Sequence, residues 1–96
     1  ADSRRRHGQY QADPASQAMH AAHPLIAVWD DHETADNAWS GGANNHDPET
    51  EGTWEDRKRA ALQAYFEWMP VRDPAPGAAR EALFRAWSWG DLLTLV

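Results

Sequence analysis

The chain has 96 residues, no cysteine and a formal net charge of -6. A domain of this size buries only about 60–65% of the surface that its unfolded chain exposes, so its core is thin. The lack of cysteine excludes disulfides and thiolate metal sites. No apolar stretch is long enough to cross a bilayer, and the acidic balance argues against nucleic acid or an anionic membrane surface as a partner.

The first 12 residues are polar and include three consecutive arginines, Arg4 to Arg6. We expect a frayed, solvated terminus here, and a phosphate-binding patch is the alternative. Asp13 and Pro14 then predict a helix start, because Asp caps helix N-termini and Pro fits the first turn. A helix is therefore expected over residues 14–22.

Two histidines lie near the end of this helix. His20 and His23 have an i, i+3 spacing that can hold a metal on a helix. Pro24 ends the helix directly after them, because the residue before a proline disfavours helical backbone. We therefore interpret His20 as an exposed helix residue and His23 as a helix C-terminal residue.

A short apolar run, Leu25 to Trp29, is followed by the polar residues Asp30 to Glu33. A run of this kind is typical of a buried strand, and open α/β sheets place their chemistry just past strand carboxyl ends. Three carboxylates and an imidazole at such a point suit a hard-cation site with an acid/base group beside it. A solvated acidic loop is the plainer interpretation of the same residues.

The region after these residues predicts a long loop. Residues 34–52 are rich in Asn, Asp, Gly and Pro, and loops of this length inside compact domains are usually functional or disordered. From Asp30 to Asp56 the chain carries nine acidic residues and no Lys or Arg. This stretch would gain from a bound cation, or else it remains a hydrated, mobile loop.

The clearest helix begins at Thr53, with Glu55 and Asp56 in its first turn and Pro70 at its end. Apolar side chains recur along it at helical spacing, and we expect them to form core rather than a cofactor site. These residues are Leu62, Tyr65, Phe66 and Met69, with Ala61 and Trp68 widening the stripe.

Residues 72–81 predict a loop, and two strands of a hairpin follow it. We expect the strands over Leu83 to Trp89 and Asp91 to Val96, with Gly90-Asp91 as the turn. The last strand is almost wholly apolar and is therefore expected inside a sheet. Because a natural domain seldom stops within a buried strand, we interpret residues 1–96 as a single partial domain, an internal fragment of a larger one.

Four motifs occur in a fixed order along the chain: W-D-D-H-E at residues 29–33, S-G-G-A-x-N-H at residues 40–46, R-K-x-A-A-x-Q-A-Y-F-E-W-M-P-V-R at residues 57–72, and W-G-D-L at residues 89–92. Together they resemble the PhoD-type alkaline phosphatases and phosphodiesterases, a branch of the calcineurin-like metallophosphatase superfamily. The resemblance covers nearly the whole chain from Asp13 onward.

The resemblance implies roles for individual residues. Asp31 takes the position of a metal ligand, and His32 that of the histidine that assists the leaving group or the transferred phosphoryl group. Asp30, Glu33 and Asn37 would orient these two from a second shell. The alternative for the two outer carboxylates is that they only satisfy Asn side chains or backbone amides in the loop.

Three further residues have weaker implied roles. His46 lies in the loop motif, either on the substrate side or, as we expect, as a solvated histidine. Arg72 and Arg80 could meet phosphate in a whole enzyme, and the sequence favours neither.

The resemblance also implies a fold and a chemistry for the parent protein. The expected fold class is α/β, part of a two-sheet sandwich flanked by helices, in the local order helix, strand, long loop, helix and β-hairpin. The implied cofactors are calcium and iron, the implied substrate is a phosphoester, and the parent is expected to be exported. The remaining metal ligands should lie outside this chain, so we expect the isolated fragment to be inactive.

A second hypothesis comes from a different functional class. The chain could be a small tryptophan-rich binding module, with Trp39 and Trp54 beside an acidic loop that captures a cation or a sugar. The two hypotheses differ in geometry. Asp31 and His32 lying together at a strand's carboxyl end and facing a cleft would favour the enzyme. The two side chains pointing apart, with tryptophans lining the only concavity, would favour the binding module.

Overall fold

The computed structural model describes residues 2–82 and 85–96. These residues form helices α1 (Asp2–Gln11), α2 (Pro14–Ala22), α3 (Pro48–Glu51) and α4 (Trp54–Trp68), and strands β1 (Trp87–Trp89) and β2 (Leu93–Leu95). The radius of gyration is 15.4 Å. A compact domain of this length would have a value of about 12–13 Å, so the chain is extended and its core is small.

Helix α4 supplies most of the buried surface. Thr53 caps its N-terminus, where the Oγ1 atom accepts a hydrogen bond of 3.2 Å from the Asp56 amide. The amide of Met69 donates to the Tyr65 carbonyl at the other end, one residue before Pro70. The predicted helix and its cap are confirmed, since the boundary signals are local and strong. Its buried residues are Trp54, Ala61, Leu62, Ala64 and Tyr65.

The edge of the predicted apolar stripe on α4 is less buried than expected. Phe66 and Met69 are half-buried, and Trp68 is 42% exposed. The guanidinium groups of Arg80 and Arg85 lie over the Phe66 ring, 5.5 Å and 5.9 Å from its centroid. Cations therefore cover part of the surface that a purely apolar core would cover.

Helix α1 corrects the prediction of a frayed terminus. It packs against α4, and Arg4 donates two hydrogen bonds to the Glu67 carboxylate, at 2.5 Å and 2.7 Å. A Cβ atom at Gly8 would lie only 3.2 Å from the Cη2 atom of Trp68, so the Trp68 ring packs closely on the Gly8 backbone. The prediction was wrong because α1 packs through an ion pair and a glycine. Neither feature produces the apolar stripe by which a packed helix is recognised in a sequence.

Helix α2 has the predicted boundaries. The Asp13 carboxylate accepts a hydrogen bond of 2.8 Å from the Ser16 amide, and Pro14 is in the first turn. His23 caps the C-terminus, and its amide donates to the Met19 carbonyl at 3.0 Å. His20, expected to be exposed, is a half-buried residue of the last turn.

The strand predicted over Leu25 to Trp29 is absent, because these residues pair with no other strand among those described. Their burial alternates, with Leu25, Ala27 and Trp29 half-buried and Ile26 and Val28 exposed. The pattern is that of an extended segment with two faces. A strand also needs a neighbouring strand, and an apolar run cannot supply that partner.

The predicted loop over residues 34–52 is present and contains the short helix α3. The Trp54 Nε1 atom donates a hydrogen bond of 3.2 Å to the Ser40 carbonyl. The carbonyl of Asp36 accepts a hydrogen bond of 2.9 Å from the Asn44 amide. The amide of Asp36 donates a hydrogen bond of 3.1 Å to Asn45 Oδ1. The loop is therefore ordered by contacts with α4 and within itself.

The predicted hairpin is confirmed but is shorter, with a three-residue turn of Gly90, Asp91 and Leu92. Gly90 has φ of 54°, a conformation that glycine adopts without strain. Leu83 and Phe84, where the first strand was expected to begin, lie outside the described residues. Strand β2 is exposed, so the prediction that it lies inside a sheet is wrong for the part of the chain described.

The architecture is thus mixed, with helices and one two-stranded antiparallel sheet among the described residues. In that part of the chain, no helix is both long enough and apolar enough to span a bilayer.

The Arg4–Glu67 contact predicts a specific pH dependence. Its hydrogen bonds, with one from Gln63, lower the pKa of Glu67 from the usual 4.5 to about 2. A lowered folded-state pKa means that the stabilisation is present above pH 4.5 and is lost as the pH falls through about 2. Arg4→Ala should therefore lower the hydrogen-exchange protection of the α1 amides, relative to the unfolded chain, at neutral pH. The further loss of protection in acid should be smaller in this variant than in the wild type.

Arg5→Ala is the matched control, because Arg5 is an exposed residue of the same helix that forms no salt bridge with any described residue. Equal exchange rates in the two variants at neutral pH would contradict the assigned role of the Arg4 contact.

Candidate functional site

The motif residues Asp30 to Glu33 form a turn that follows the extended segment. The Asp31 carbonyl accepts hydrogen bonds from the amides of Thr34 and Ala35, at 3.0 Å and 3.1 Å. Glu33 Oε2 accepts one of 2.7 Å from the Asp30 amide. The turn thus redirects the chain immediately after Trp29, and neighbouring side chains can meet, which opposite faces of a strand would prevent.

Asp31 and His32 are in direct contact within this turn. The distance from His32 Nδ1 to Asp31 Oδ1 is 2.9 Å, and that from His32 Nε2 to Asp36 Oδ1 is 3.2 Å. A carboxylate only accepts hydrogen bonds, so engaging both at once requires an imidazolium with two N–H donors. His32 therefore lies between two carboxylates, an arrangement that favours its protonated form.

The charges in this cluster shift both pKa values. The hydrogen bond to Asp31 is the main cause that raises the pKa of His32, followed by the charge of Asp31 and the hydrogen bond to Asp36. The same bond to His32 lowers the pKa of Asp31. The His32 side chain is 66% exposed, so water screens these effects.

The three residues assigned to a second shell do not contact His32 directly. Asp30 is exposed, and Glu33 bonds to the Asp30 amide, as in the plainer interpretation of these carboxylates. Asn37 is exposed and has φ of 48°, so it reverses the chain after Asp36. Their orienting roles toward a metal ligand stay predictions.

Asp36 is the site residue that sequence reasoning missed. Its position four residues after His32 was a usable signal, because side chains i and i+4 meet on a helical turn. The signal was not used because this stretch was interpreted as irregular loop.

Asp31 and His32 are suitable types of metal ligand, but two residues are too few to complete a metal site. Carboxylate oxygen and imidazole nitrogen are both good ligands, and calcium alone takes six to eight oxygens. Among the described residues, no three or more His, Cys, Asp or Glu side chains are grouped so as to hold a metal ion. Asp31 can therefore contribute one ligand to a site that needs further residues.

Two cavities meet at this turn. Asp31 lines one of about 340 Å³ that contains three tryptophans. His32 lines another of about 590 Å³, whose opposite wall is formed by Arg6, His7 and Tyr10 of α1. Thr34 lies in the walls of both. The turn therefore separates an aromatic cavity from a polar cleft, and the tryptophans do not line the only concavity.

His46 corrects the expectation of a solvated histidine. Its side chain is only 7% exposed, and its ring packs against Trp54 with centroids 5.2 Å apart. Its Nδ1 atom lies 3.4 Å from both Glu51 Oε2 and Arg57 Nη1. The motif position therefore anchors the loop on α4, through the short Arg57–Glu51 ion pair beside it.

The two arginines considered for phosphate are placed differently. Arg80 pairs with the carboxylate of Asp73, at 3.2 Å and 3.3 Å. Arg72 is exposed, and its carbonyl accepts a hydrogen bond from Arg85. Neither lines the two cavities that meet at the turn.

The geometry of His32 predicts how its titration responds to substitution. Asp31→Asn should lower the pKa of His32 more than Asp36→Asn, because the Asp31 bond is the larger cause of its raised value. Because the pKa of His32 is raised in the folded state, its protonation stabilises the fold below the unfolded-state pKa of 6.5. This stabilisation is lost as the pH rises through the folded-state pKa. An NMR titration of the His32 imidazole in the two variants measures both changes in pKa.

Glu49→Gln, at an exposed position of α3, is the control and should leave the titration of His32 unchanged. A larger effect of Asp36→Asn than of Asp31→Asn would contradict the assignment.

Comparison with known proteins places the chain in a family. Residues 1–96 match the family described as PhoD-like phosphatase. The chain is 39% identical over 95 residues to alkaline phosphatase D of Bacillus subtilis (strain 168), covering 95% of this chain and 15% of that protein. No solved structure matches. Because the family match spans all 96 residues, the chain belongs to the PhoD-like phosphatase family.

Proposed function

We propose that this chain is an internal part of a metal-dependent phosphoester hydrolase, an alkaline phosphatase or phosphodiesterase. The observation that carries the proposal is the contact between Asp31 and His32, which holds an imidazole beside a carboxylate that raises its pKa. Family membership supports it, and the chain spans about 15% of the length of alkaline phosphatase D. The remaining residues of the active site would then lie elsewhere in a longer protein.

In the proposed mechanism, Asp31 has two tasks. Its carboxylate supplies one metal ligand, and its Oδ1 atom accepts the hydrogen bond that orients His32. The chemistry that metal ions would supply here is polarisation of the phosphoryl oxygens and a lower pKa for a water nucleophile. Calcium and iron are the metals we propose, and other residues must complete their coordination.

His32 would act as the general acid. Cleavage of a phosphoester leaves negative charge on the departing oxygen, and a proton given to that oxygen removes the charge. The hydrogen bonds to Asp31 and Asp36 raise the pKa of His32 and so favour the protonated form that a general acid needs. Asp30, Glu33 and Asn37 would maintain the turn that presents both residues.

The exposed apolar surface agrees with a larger protein around this chain. The side chains of Ile26, Val28, Leu93, Leu95 and Val96 are all exposed. Burying such side chains is favourable, so further sheet structure of a two-sheet sandwich is the proposed cover. Export of that protein is part of the same proposal.

The alternative of a tryptophan-rich binding module has one supporting observation, the aromatic cavity. That cavity includes Asp31, so it adjoins the proposed catalytic residues. The geometry therefore favours an enzyme with an aromatic subsite over a separate binding function.

The test is hydrolysis of glycerol 3-phosphate by the full-length protein, because its alkoxide leaving group needs a proton. His32→Ala should lower kcat by about 100- to 10,000-fold, the usual contribution of a general acid. Asp31→Asn should lower both kcat and the metal content measured by mass spectrometry. His20→Ala, a change in the last turn of α2, is the matched control and should keep wild-type kcat.

Wild-type turnover by the His32→Ala enzyme would overturn the general-acid role. The isolated 96-residue chain provides a second test, because it should show no turnover with calcium and iron present. Turnover above buffer would contradict the need for further ligands.

A further inference from the structure

The aromatic cavity beside Asp31 has a composition that the proposed chemistry does not require. It encloses about 340 Å³, a size typical of a small-molecule site. Three of the six tryptophans of the chain line it, and the carboxylate residue proposed as a metal ligand forms part of its wall. The lining residues used below are Trp29, Trp39, Trp54, Asp30, Lys58 and Glu81.

Trp39 presents an open aromatic ring that the backbone holds in place. Its side chain is 57% exposed, which is unusual for a residue with so large an apolar surface. Its amide donates a hydrogen bond of 2.8 Å to the Gly42 carbonyl, and the Gly42 amide returns one of 3.4 Å. A Cβ atom at Gly42 would lie 3.1 Å from the Trp39 ring, so the ring rests directly on the glycine backbone.

The other two tryptophans are fixed more firmly. Trp54 is 6% exposed and donates to the Ser40 carbonyl, and Trp29 is half-buried and donates to the Arg80 carbonyl at 3.4 Å. Rings held in this way lose little conformational entropy when a ligand binds. Trp39 is thus the exposed ring of a cavity whose other two tryptophans are already positioned.

The charges of the cavity decide which part of a phosphoester it accepts. Asp30, Asp31 and Glu81 contribute three carboxylates against the single ammonium group of Lys58. This balance repels a phosphoryl group and accepts a neutral group whose hydroxyls donate hydrogen bonds to carboxylates. An aromatic ring adds a stacking surface for a second ring.

We propose that this cavity binds the neutral, hydroxyl-bearing ring of the substrate's alcohol, as found in sugars and nucleosides, with that ring stacked on Trp39. The proposal deepens the proposed function and rests on it for the position of the phosphoryl group beside Asp31. It makes the enzyme selective for phosphoesters of ring alcohols over those of small acyclic alcohols.

Equilibrium binding of the uncharged probes tests the cavity without any catalytic step. Adenosine and methyl glucopyranoside are titrated into the full-length protein by ligand-observed NMR, with glycerol as the acyclic probe. At least one ring compound should bind, and Trp39→Ala should weaken it about 5- to 100-fold, the effect of losing one stacked ring. Comparing the two ring probes distinguishes a nucleoside site from a sugar site.

Two further variants separate stacking from a general loss of structure. Trp68→Ala is the matched control, because Trp68 is also exposed but lies against α1, away from the cavity, and it should leave binding unchanged. Gly42→Ala keeps every tryptophan but displaces the Trp39 ring, and it should weaken binding less than Trp39→Ala. Absence of binding by both ring compounds, or equal losses in the Trp39 and Trp68 variants, would overturn the proposal.

Kinetics of phosphate release then connect the cavity to the reaction. With adenosine 5′-monophosphate or glucose 6-phosphate, Trp39→Ala should raise KM about 5- to 100-fold and leave kcat unchanged. With glycerol 3-phosphate, KM should not change, and a change of the same size would overturn the subsite. If no phosphoester is hydrolysed while ring binding depends on Trp39, the proposed function fails and the cavity assignment stands.

Discussion

The indole of Trp54 is the contact on which the rest of this structure depends. It forms a small cluster with Ala35 and Ala43, its Nε1 atom bonds to the Ser40 carbonyl, and His46 packs on its face. The chain has no cysteine that could close the loop covalently. Burial of one large ring therefore attaches the loop to α4, and that attachment positions the side chains around the proposed site.

Asp31 joins two properties that are usually assigned to separate residues. It raises the pKa of His32, and it forms part of the wall of the aromatic cavity. A substrate alcohol held in that cavity would have its phosphoester bond near Asp31, whose carboxylate is hydrogen-bonded to His32 on the other side of the turn. Recognition and chemistry would then depend on the same short turn, which would position the alcohol and the reacting phosphoester together.

The sequence predicts the parts of this structure that depend on local signals. Asp13 and Thr53 cap helices as expected, and Gly90 makes the hairpin turn. Features that depend on distant partners could not be predicted from local pattern. The segment Leu25 to Trp29 has the composition of a strand but lacks a paired neighbour, and His46 is buried because Trp54 lies beside it.

The absence of a side chain at Gly8 has a consequence for the polar cleft. A glycine allows a neighbouring helix to approach closely, and here the Trp68 ring of α4 packs on the backbone of Gly8. His7 and Tyr10, on the same helix, form the far wall of the cleft that contains His32. A larger residue at position 8 would push α1 away from Trp68 and would therefore shift the wall of the cleft that faces His32.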